Sequence, residues 1–369
     1  MTRGTGDSAL NFPAAVLDAK PYVPDWAGQD RRGLIRLDRN EAPGPLSPAV
    51  ADALCAYVRD EGVHSYPEYP RLATALGEYC GVPATWILPT NGSDQGIDLC
   101  VRAFLRPGAS MVVARPEFVI FGHTAGLAGG SVVGVPYPSD LRYPYQEFRA
   151  AVAARKPDLV VFVNPNNPTG TPVDVEFIAE IARSVPDVPV LVDEAYYEFT
   201  GATVVPLIQE LPNLIVLRTF SKAFAMAGLR LGYVVAVPEV VEQLVKLRNP
   251  FDVNALAQVA GLAQLARRDE MRAMVEEMMG DIKPEVVGFF QDRGVVVHPG
   301  AANFLLVRPE QPEETVAALR EAGILVRTMT HPLLAGMFRM NLGTREEMTK
   351  LMNVYRDLTN TGLGPETER

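Results

Sequence analysis

The sequence predicts an α/β protein in which a large, mostly parallel sheet is layered between helices and followed by a smaller α+β unit. Three observations carry that reading. Short apolar runs alternate with segments of helical period from about residue 45 to about residue 260, the pattern of parallel crossover units. Five of these runs are apolar almost throughout, as strands covered on both faces are. After about residue 262 the texture changes to a charged, Met-rich helical stretch and then to mixed strands and helices. The expected divisions are an arm over residues 1–44 that joins the small domain or a partner copy, a large domain over 45–262 and a small C-terminal domain over 263–369.

Taken in order, the arm contains KPYVPDWAGQD, which has no period and is expected to run over the surface or along a partner. SPAVADALCAYV reads as the first strong helix, with Ser47 as N-cap, Pro48 at the first helical position, and Val50, Leu54, Tyr57 and Val58 on one face. SMVVA (110–114), DLVVFV (158–163), VPVLVD (188–193), NLIVLR (213–218) and YVVAV (233–237) read as buried strands. YQEFRAAVAAR and DVEFIAEIARS carry the apolar stripes of intervening helices. Beyond the Met-rich stretch, NFLLV reads as a strand, EETVAALREAG as a helix, ILV and FRMNL as strands, and a last helix follows.

The chain has 369 residues, 48% of them apolar, enough for more than one core. Its formal net charge is −10, and no run of Lys or Arg forms a stripe able to neutralise a phosphate backbone, so nucleic acid is not an expected partner. MTRGTGDSALNF lacks a signal-peptide apolar region and no apolar run approaches the length of a bilayer span, which leads us to expect a soluble cytoplasmic protein. Cys55, Cys80 and Cys100 are widely spaced and read as buried packing residues rather than a disulfide framework or metal clip. His64, His123, His298 and His331 show no ligand spacing, and no metal is expected.

Ligands of parallel α/β sheets gather beyond the carboxyl ends of the strands. Four of those ends are unusual: WILPTNGSDQG, FVNPNNPTG, VLVDEAYYEF and IVLRTFSK. Each has a plainer reading when taken singly. NPNNPTG makes a tight turn, NGSD caps a helix, Asp193 is a solvated strand-end acid and Lys222 a surface lysine. Together they meet the needs of one cofactor. Pyridoxal phosphate requires a lysine for its aldehyde, an acid for its ring nitrogen, donors at its phenolic oxygen and an anion site for its phosphate.

With these motifs in hand, the sequence resembles the fold-type I pyridoxal-phosphate aminotransferases, and most of all the histidinol-phosphate aminotransferase family. The resemblance runs along nearly the whole chain: KPYVP, LDRNEAPGPLSP, HSYPEYP, NGSDQGIDLCVRAF, NPNNPTG, VDEAYYEF, TFSKAFAMAGLRLGY, ILVR and FRMNLGT. NPTG alone is a weak signal; the ordered set is strong. NEAPGPLSP departs from the usual NENPxGPSP of the family, which leaves the substrate more open than the cofactor.

The resemblance implies that Lys222 holds the cofactor as a Schiff base and then moves a proton at the substrate Cα, work that suits an amine in a pocket of low polarity. It implies Asp193 as the partner of the ring nitrogen, Tyr196 and Asn167 as donors to the phenolic oxygen, and Phe118 as the ring-stacking aromatic; Tyr197 reads as packing. Ser93, Asp94 and Gln95 open a helix whose backbone N–H groups can meet the phosphate, assisted by Thr219, Ser221 and the fork of Arg230. Tyr66 matches a tyrosine that reaches the phosphate of a neighbouring subunit, hence an expected homodimer. Arg339 matches the arginine that grips a substrate carboxylate or phosphate. Arg327 and Tyr22 match a second anion site, and read equally well as a surface arginine and a packing tyrosine. Asn40 and Glu41 fall in a segment expected to line the substrate entrance, and His123 could approach the substrate.

The function so implied is transfer of an amino group from histidinol phosphate, or a related amino acid or amine, to a 2-oxo acid such as 2-oxoglutarate. Two alternatives use the same scaffold: transamination of an aromatic or specialised amino acid, and decarboxylation of a phosphorylated one. A non-catalytic regulator sensing the cofactor is a third, but such a protein carries a DNA-binding helix-turn-helix for which the residues before the first strong helix leave little room.

Overall fold

The structure, a computed structural model, describes residues 10–21 and 30–360. A short strand β1 (Ile35–Arg36) precedes β2 (Ile87–Asn91), β3 (Ser110–Arg115), β4 (Ser131–Pro136), β5 (Leu159–Val163), β6 (Val190–Asp193), β7 (Leu214–Thr219) and β8 (Leu231–Val235). All but β1 join in a seven-stranded sheet of order β2-β8-β7-β6-β5-β3-β4. The apolar runs predicted as strands are strands because both of their faces find cover. Val112, Val160, Phe162, Val192 and Val216 enter one core, while their neighbours Met111, Val113, Val161, Leu191 and Ile215 enter another on the opposite face, as the two-residue period of a strand requires.

One strand departs from the crossover pattern. β8 runs antiparallel to both β7 and β2. Residues 220–230 are too few for a helical crossover, which takes a dozen or more residues, so the chain turns back at the carboxyl end of β7. The loop that makes this turn carries Lys222.

A second, four-stranded antiparallel sheet is built from β9 (Val296–His298), β10 (Phe304–Arg308), β12 (Arg327–Thr328) and β13 (Phe338–Asn341), in the order β12-β13-β10-β9. Between these in sequence, β11 (Ile324–Leu325) pairs in parallel with β1, Ile35 opposite Ile324. The arm is thereby stitched to the C-terminal region through residues 35–36, whereas most of KPYVPDWAGQD lies outside the described residues. The NPNNPTG turn meets the loop before β10 backbone to backbone. Ala301 N–H donates to the Gly170 carbonyl at 2.7 Å, and a Cβ on Gly170 would lie 2.9 Å from the Gly300 Cα. Lys283 fastens the same loop from behind, donating to the carbonyls of Gly300 and Ala302 at 3.0 and 2.8 Å.

Three local expectations need correction. The helix Pro48–Ala56 has Ser47 at its N-cap and Pro48 first, but the Ser47 hydroxyl makes no capping bond. Val58 is 52% exposed, because Tyr57–Glu61 winds as a wider π-turn that breaks the helical phase and carries the side chain off the apolar face. Cys55 is exposed; only Cys100 is fully buried, with Cys80 between. Among the described residues no helix is long and apolar enough to cross a membrane.

β8 also passes so close to the helix after β2 that a Cβ on Gly232 would sit 2.5 Å from the Gly92 carbonyl carbon and the Ser93 nitrogen. Gly232→Ala should therefore cost about 1–3 kcal/mol of stability by pushing that helix start aside. Chemical denaturation checks this; an unchanged midpoint would mean that the two backbones are free to separate.

Candidate active site

A cavity of about 120 Å³ opens beyond the carboxyl ends of β5, β6 and β7, where sheets of this kind receive ligands. β6 delivers Asp193 as its last residue, and the short loop after it delivers Tyr196. The turn after β5 delivers Asn167, and β7 with its following loop delivers Thr219, Ser221 and Lys222. Ser93 and Asp94 enter from the helix Gly92–Phe104, and Phe118 from the N-cap of the helix Val119–Leu127.

Asp193 is 3% exposed. Its Oδ1 accepts the Ala195 N–H at 3.0 Å, yet loss of hydration pushes the carboxyl up to about 7. Lys222 shows the mirror image. Part of its side chain reaches the surface, but the amine sits where lost hydration, reinforced by the positive charge of Arg339, pushes it down to about 8. Its Nζ donates to the Arg39 carbonyl at 3.1 Å, a contact that no sequence motif announces.

An anion cradle adjoins this pair. Asn91 gives the helix Gly92–Phe104 no side-chain cap, which leaves its first N–H groups and the positive end of its dipole for a ligand. Arg230 stands beside it with φ +58°, donating to Ser221 Oγ at 3.1 Å and to Asp94 Oδ2 at 2.8 Å. Gly92 suits this approach, since it holds φ +74° and a Cβ would fall 2.4 Å from the Arg230 guanidinium, which would have to shift.

Two further predicted residues reach the cavity through others. Arg339, buried on β13, donates to Asn167 Oδ1 at 2.5 Å and to the Asp38 carbonyl at 3.0 Å, so Asn167 has only its Nδ2 to offer the cavity. Asn40 donates its Nδ2 to Tyr196 Oη at 2.8 Å, which makes it a partner of Tyr196 as well as a neighbour of the entrance. Arg327 lies directly opposite Arg339 on the adjacent strand.

Other predicted residues stay apart. Gln95 turns away, its Oε1 accepting the Asn91 N–H at 2.7 Å and its Nε2 donating to Asp252. Tyr66 is 76% exposed and stacks on Phe251 with ring centroids 4.2 Å apart. Tyr22 lies outside the described residues. Among the described residues no cluster of His, Cys, Asp or Glu could hold a metal ion.

The sequence reading missed a buried ion pair immediately behind the site. Glu194 and Arg218 are 0% and 2% exposed at their side chains. Arg218 donates to Glu194 Oε2 at 3.0 and 2.9 Å, Thr203 and the Val204 N–H complete the carboxylate at 2.8 Å each, and the guanidinium lies 3.6 Å from the Tyr197 ring centre. An arginine ending the apolar run NLIVLR was the available signal, because a buried guanidinium needs a carboxylate.

The cavity thus offers an amine ready to lose its charge, a carboxyl short of a cation, a phenol whose oxygen already accepts a hydrogen bond, and an open helix start beside an arginine. These fit the aldehyde, ring nitrogen, phenolic oxygen and phosphate of pyridoxal phosphate. Fold and site define a fold-type I pyridoxal-phosphate enzyme. The chain belongs to the aminotransferase class I and II family, whose model matches residues 32–354. It is 35% identical over 362 residues to a histidinol-phosphate aminotransferase of Roseiflexus castenholzii, covering 94% of this chain and 96% of that one. A histidinol-phosphate aminotransferase of Symbiobacterium thermophilum is 37% identical over 361 residues, covering 93% and 97%. The crystal structure of histidinol-phosphate aminotransferase from Sinorhizobium meliloti, in complex with pyridoxal-5'-phosphate, superposes with a TM-score of 0.84 at 26% identity, covering 95% of this chain and 99% of that one. The fold class, the aminotransferase activity and the cofactor expected from the sequence are all borne out.

The raised Asp193 carboxyl makes a prediction for the cofactor-free protein. An unfolded aspartate titrates near 3.8 and the folded one near 7, so the folded state holds its proton more tightly. The resulting stability is complete below about pH 4 and is lost as pH rises through 7. Cofactor-free Asp193→Asn should melt at a higher temperature than the parent at pH 8, and the difference should vanish near pH 4; a lower melting temperature at pH 8 would contradict the desolvation argument.

Proposed function

We propose that the chain transfers the amino group of histidinol phosphate to a 2-oxo acid such as 2-oxoglutarate, as a cytoplasmic homodimer with Lys222 as its central base. The observation that carries the proposal is the convergence of Lys222, Asp193 and the anion cradle on one cavity, with Arg339 at its edge and Arg327 opposite Arg339. The names of the relatives support the substrate.

Bound pyridoxal phosphate supplies the electron sink that makes a substrate Cα proton removable, and it carries the amino group between the two substrates. The N–H groups of Ser93 and Asp94, the hydroxyls of Ser221 and Thr219 and the guanidinium of Arg230 hold its phosphate. Asp193 would pair with the ring nitrogen, and its carboxylate would favour the protonated form of that nitrogen. Asn167 Nδ2 and the Tyr196 hydroxyl donate toward the phenolic oxygen, and Phe118 supplies an aromatic wall. Lys222 holds the cofactor by its aldehyde. Lost hydration pushes this amine down to about 8, toward the neutral form whose lone pair would accept the substrate Cα proton.

Like charges directly opposite on antiparallel strands repel. Arg327 adds its positive charge beside Arg339, which would favour an anion at this place. A phosphate monoester suits the site for one half-reaction and a carboxylate for the other, both matching the guanidinium fork. The homodimer rests on Tyr66, which is exposed and stacked on the exposed Phe251 and would meet the phosphate of a second copy.

Steady-state assay of histidinol phosphate with 2-oxoglutarate tests the reading, which CO₂ release or absence of amino transfer would overturn. Lys222→Ala should abolish both activity and the pyridoxyl adduct that borohydride leaves on that peptide. Arg339→Ala should retain the cofactor yet raise KM for histidinol phosphate on the order of 10- to 100-fold, the value of one charge-assisted contact; an unchanged KM would place the substrate anion elsewhere.

A further inference from the structure

We infer that Asn40 is a positioning residue that fixes the direction in which Tyr196 donates its hydroxyl proton. Asn40 is 1% exposed and holds φ +55°, a left-handed conformation that Asn tolerates better than most residues but that needs support from its surroundings. The support is present on both sides. Asn341 Oδ1 accepts the Asn40 N–H at 3.0 Å while Asn341 Nδ2 donates to the Glu41 carbonyl at 3.3 Å, and Asn303 Nδ2 donates to the Asn40 carbonyl at 3.4 Å. The strained backbone aims the side chain at one target, Tyr196 Oη, 2.8 Å from Nδ2.

An amide N–H can only donate, so the phenol oxygen is the acceptor and its single proton must leave in another direction. Among the described residues no group accepts that proton. Tyr196 lines the cavity, and Phe304 packs against its ring at 5.4 Å, nearly edge-on. Burial lifts the phenol to about 12, so the proton stays on. The charged groups around it are Asp193, Arg339 and Lys222. Without Asn40, the hydroxyl could rotate and spend its proton outside the cavity; with it, the donor is committed inward.

This inference rests on the reading that the phenolic oxygen of pyridoxal phosphate faces Tyr196. A donor to that oxygen favours its anionic form, so losing the donor raises the pH midpoint of the visible absorbance of the bound cofactor, by about one unit for one hydrogen bond. The test is a double-mutant cycle on the holoenzyme read by absorbance against pH. Asn40→Gly removes the amide at a φ that glycine adopts freely. We expect Tyr196→Phe to raise the midpoint by about one unit, Asn40→Gly to raise it by a smaller amount, and the double variant to match Tyr196→Phe alone, because Asn40 acts only through the phenol. An unshifted midpoint in Asn40→Gly, or additive shifts in the double variant, would overturn the inference; a Tyr196→Phe midpoint equal to the parent would instead overturn the placement of the phenolic oxygen beneath it. Should Asn40→Gly fail to fold, Asn40→Asp keeps the side-chain shape while its carboxylate accepts the phenol proton. Its midpoint must then rise at least as far as that of Tyr196→Phe, and a parental value would refute the role.

Discussion

An amine and a carboxyl closed away from water at the ends of neighbouring strands set the terms for the rest of this structure. Asp193 ends β6 and Lys222 follows β7, and these two strands lie side by side in parallel. The sheet is covered on both faces, so hydration cannot reach either group from below. Each is therefore pushed toward its neutral form, and a ligand that brings a cation to one and a carbonyl carbon to the other relieves both at once. The fold also turns the chain back on itself at this point. Because β8 returns antiparallel, Arg230 comes back beside Ser221 and the open helix start, placing the anion cradle within a few residues of the lysine.

The second sheet completes the site from above. Arg339 on β13 reaches both Asn167 and the Asp38 carbonyl, and Asn341 at the end of the same strand clamps the segment that carries Asn40. Arg339 and the clamp on Asn40 thus share one strand as their support.

Most of the large sheet was legible because its strands are apolar on both faces, and the cavity was legible because its chemistry is concentrated in short stretches at strand ends. Ser93, Asn167, Asp193 and Lys222 each stand in a motif whose neighbours already restrict the backbone. What escaped the sequence depends on pairing over long distances or on the phase of a single turn. Gln95 is drawn off by Asp252, 157 positions away, and Asn40 finds Tyr196 156 positions away; no local pattern encodes either meeting. Val58 followed the helical period faithfully until a π-turn shifted it. The antiparallel course of β8 was within reach, since the length of the link from β7 excludes a crossover, but the apolar run itself looks the same in either direction.

The ion pair of Glu194 with Arg218 has a consequence for how such a chain can drift over generations. Either partner replaced alone strands a charge in a dry interior, at a cost of about 3–5 kcal/mol, which exceeds what most domains can lose. Apolar residues at both positions together would be tolerated far better, yet that state lies two substitutions away with a deep trough between. The two sites are therefore expected to change as a couple or not at all, and a lineage that once acquired the pair is held to it by the height of the intermediate step rather than by the merit of the end point.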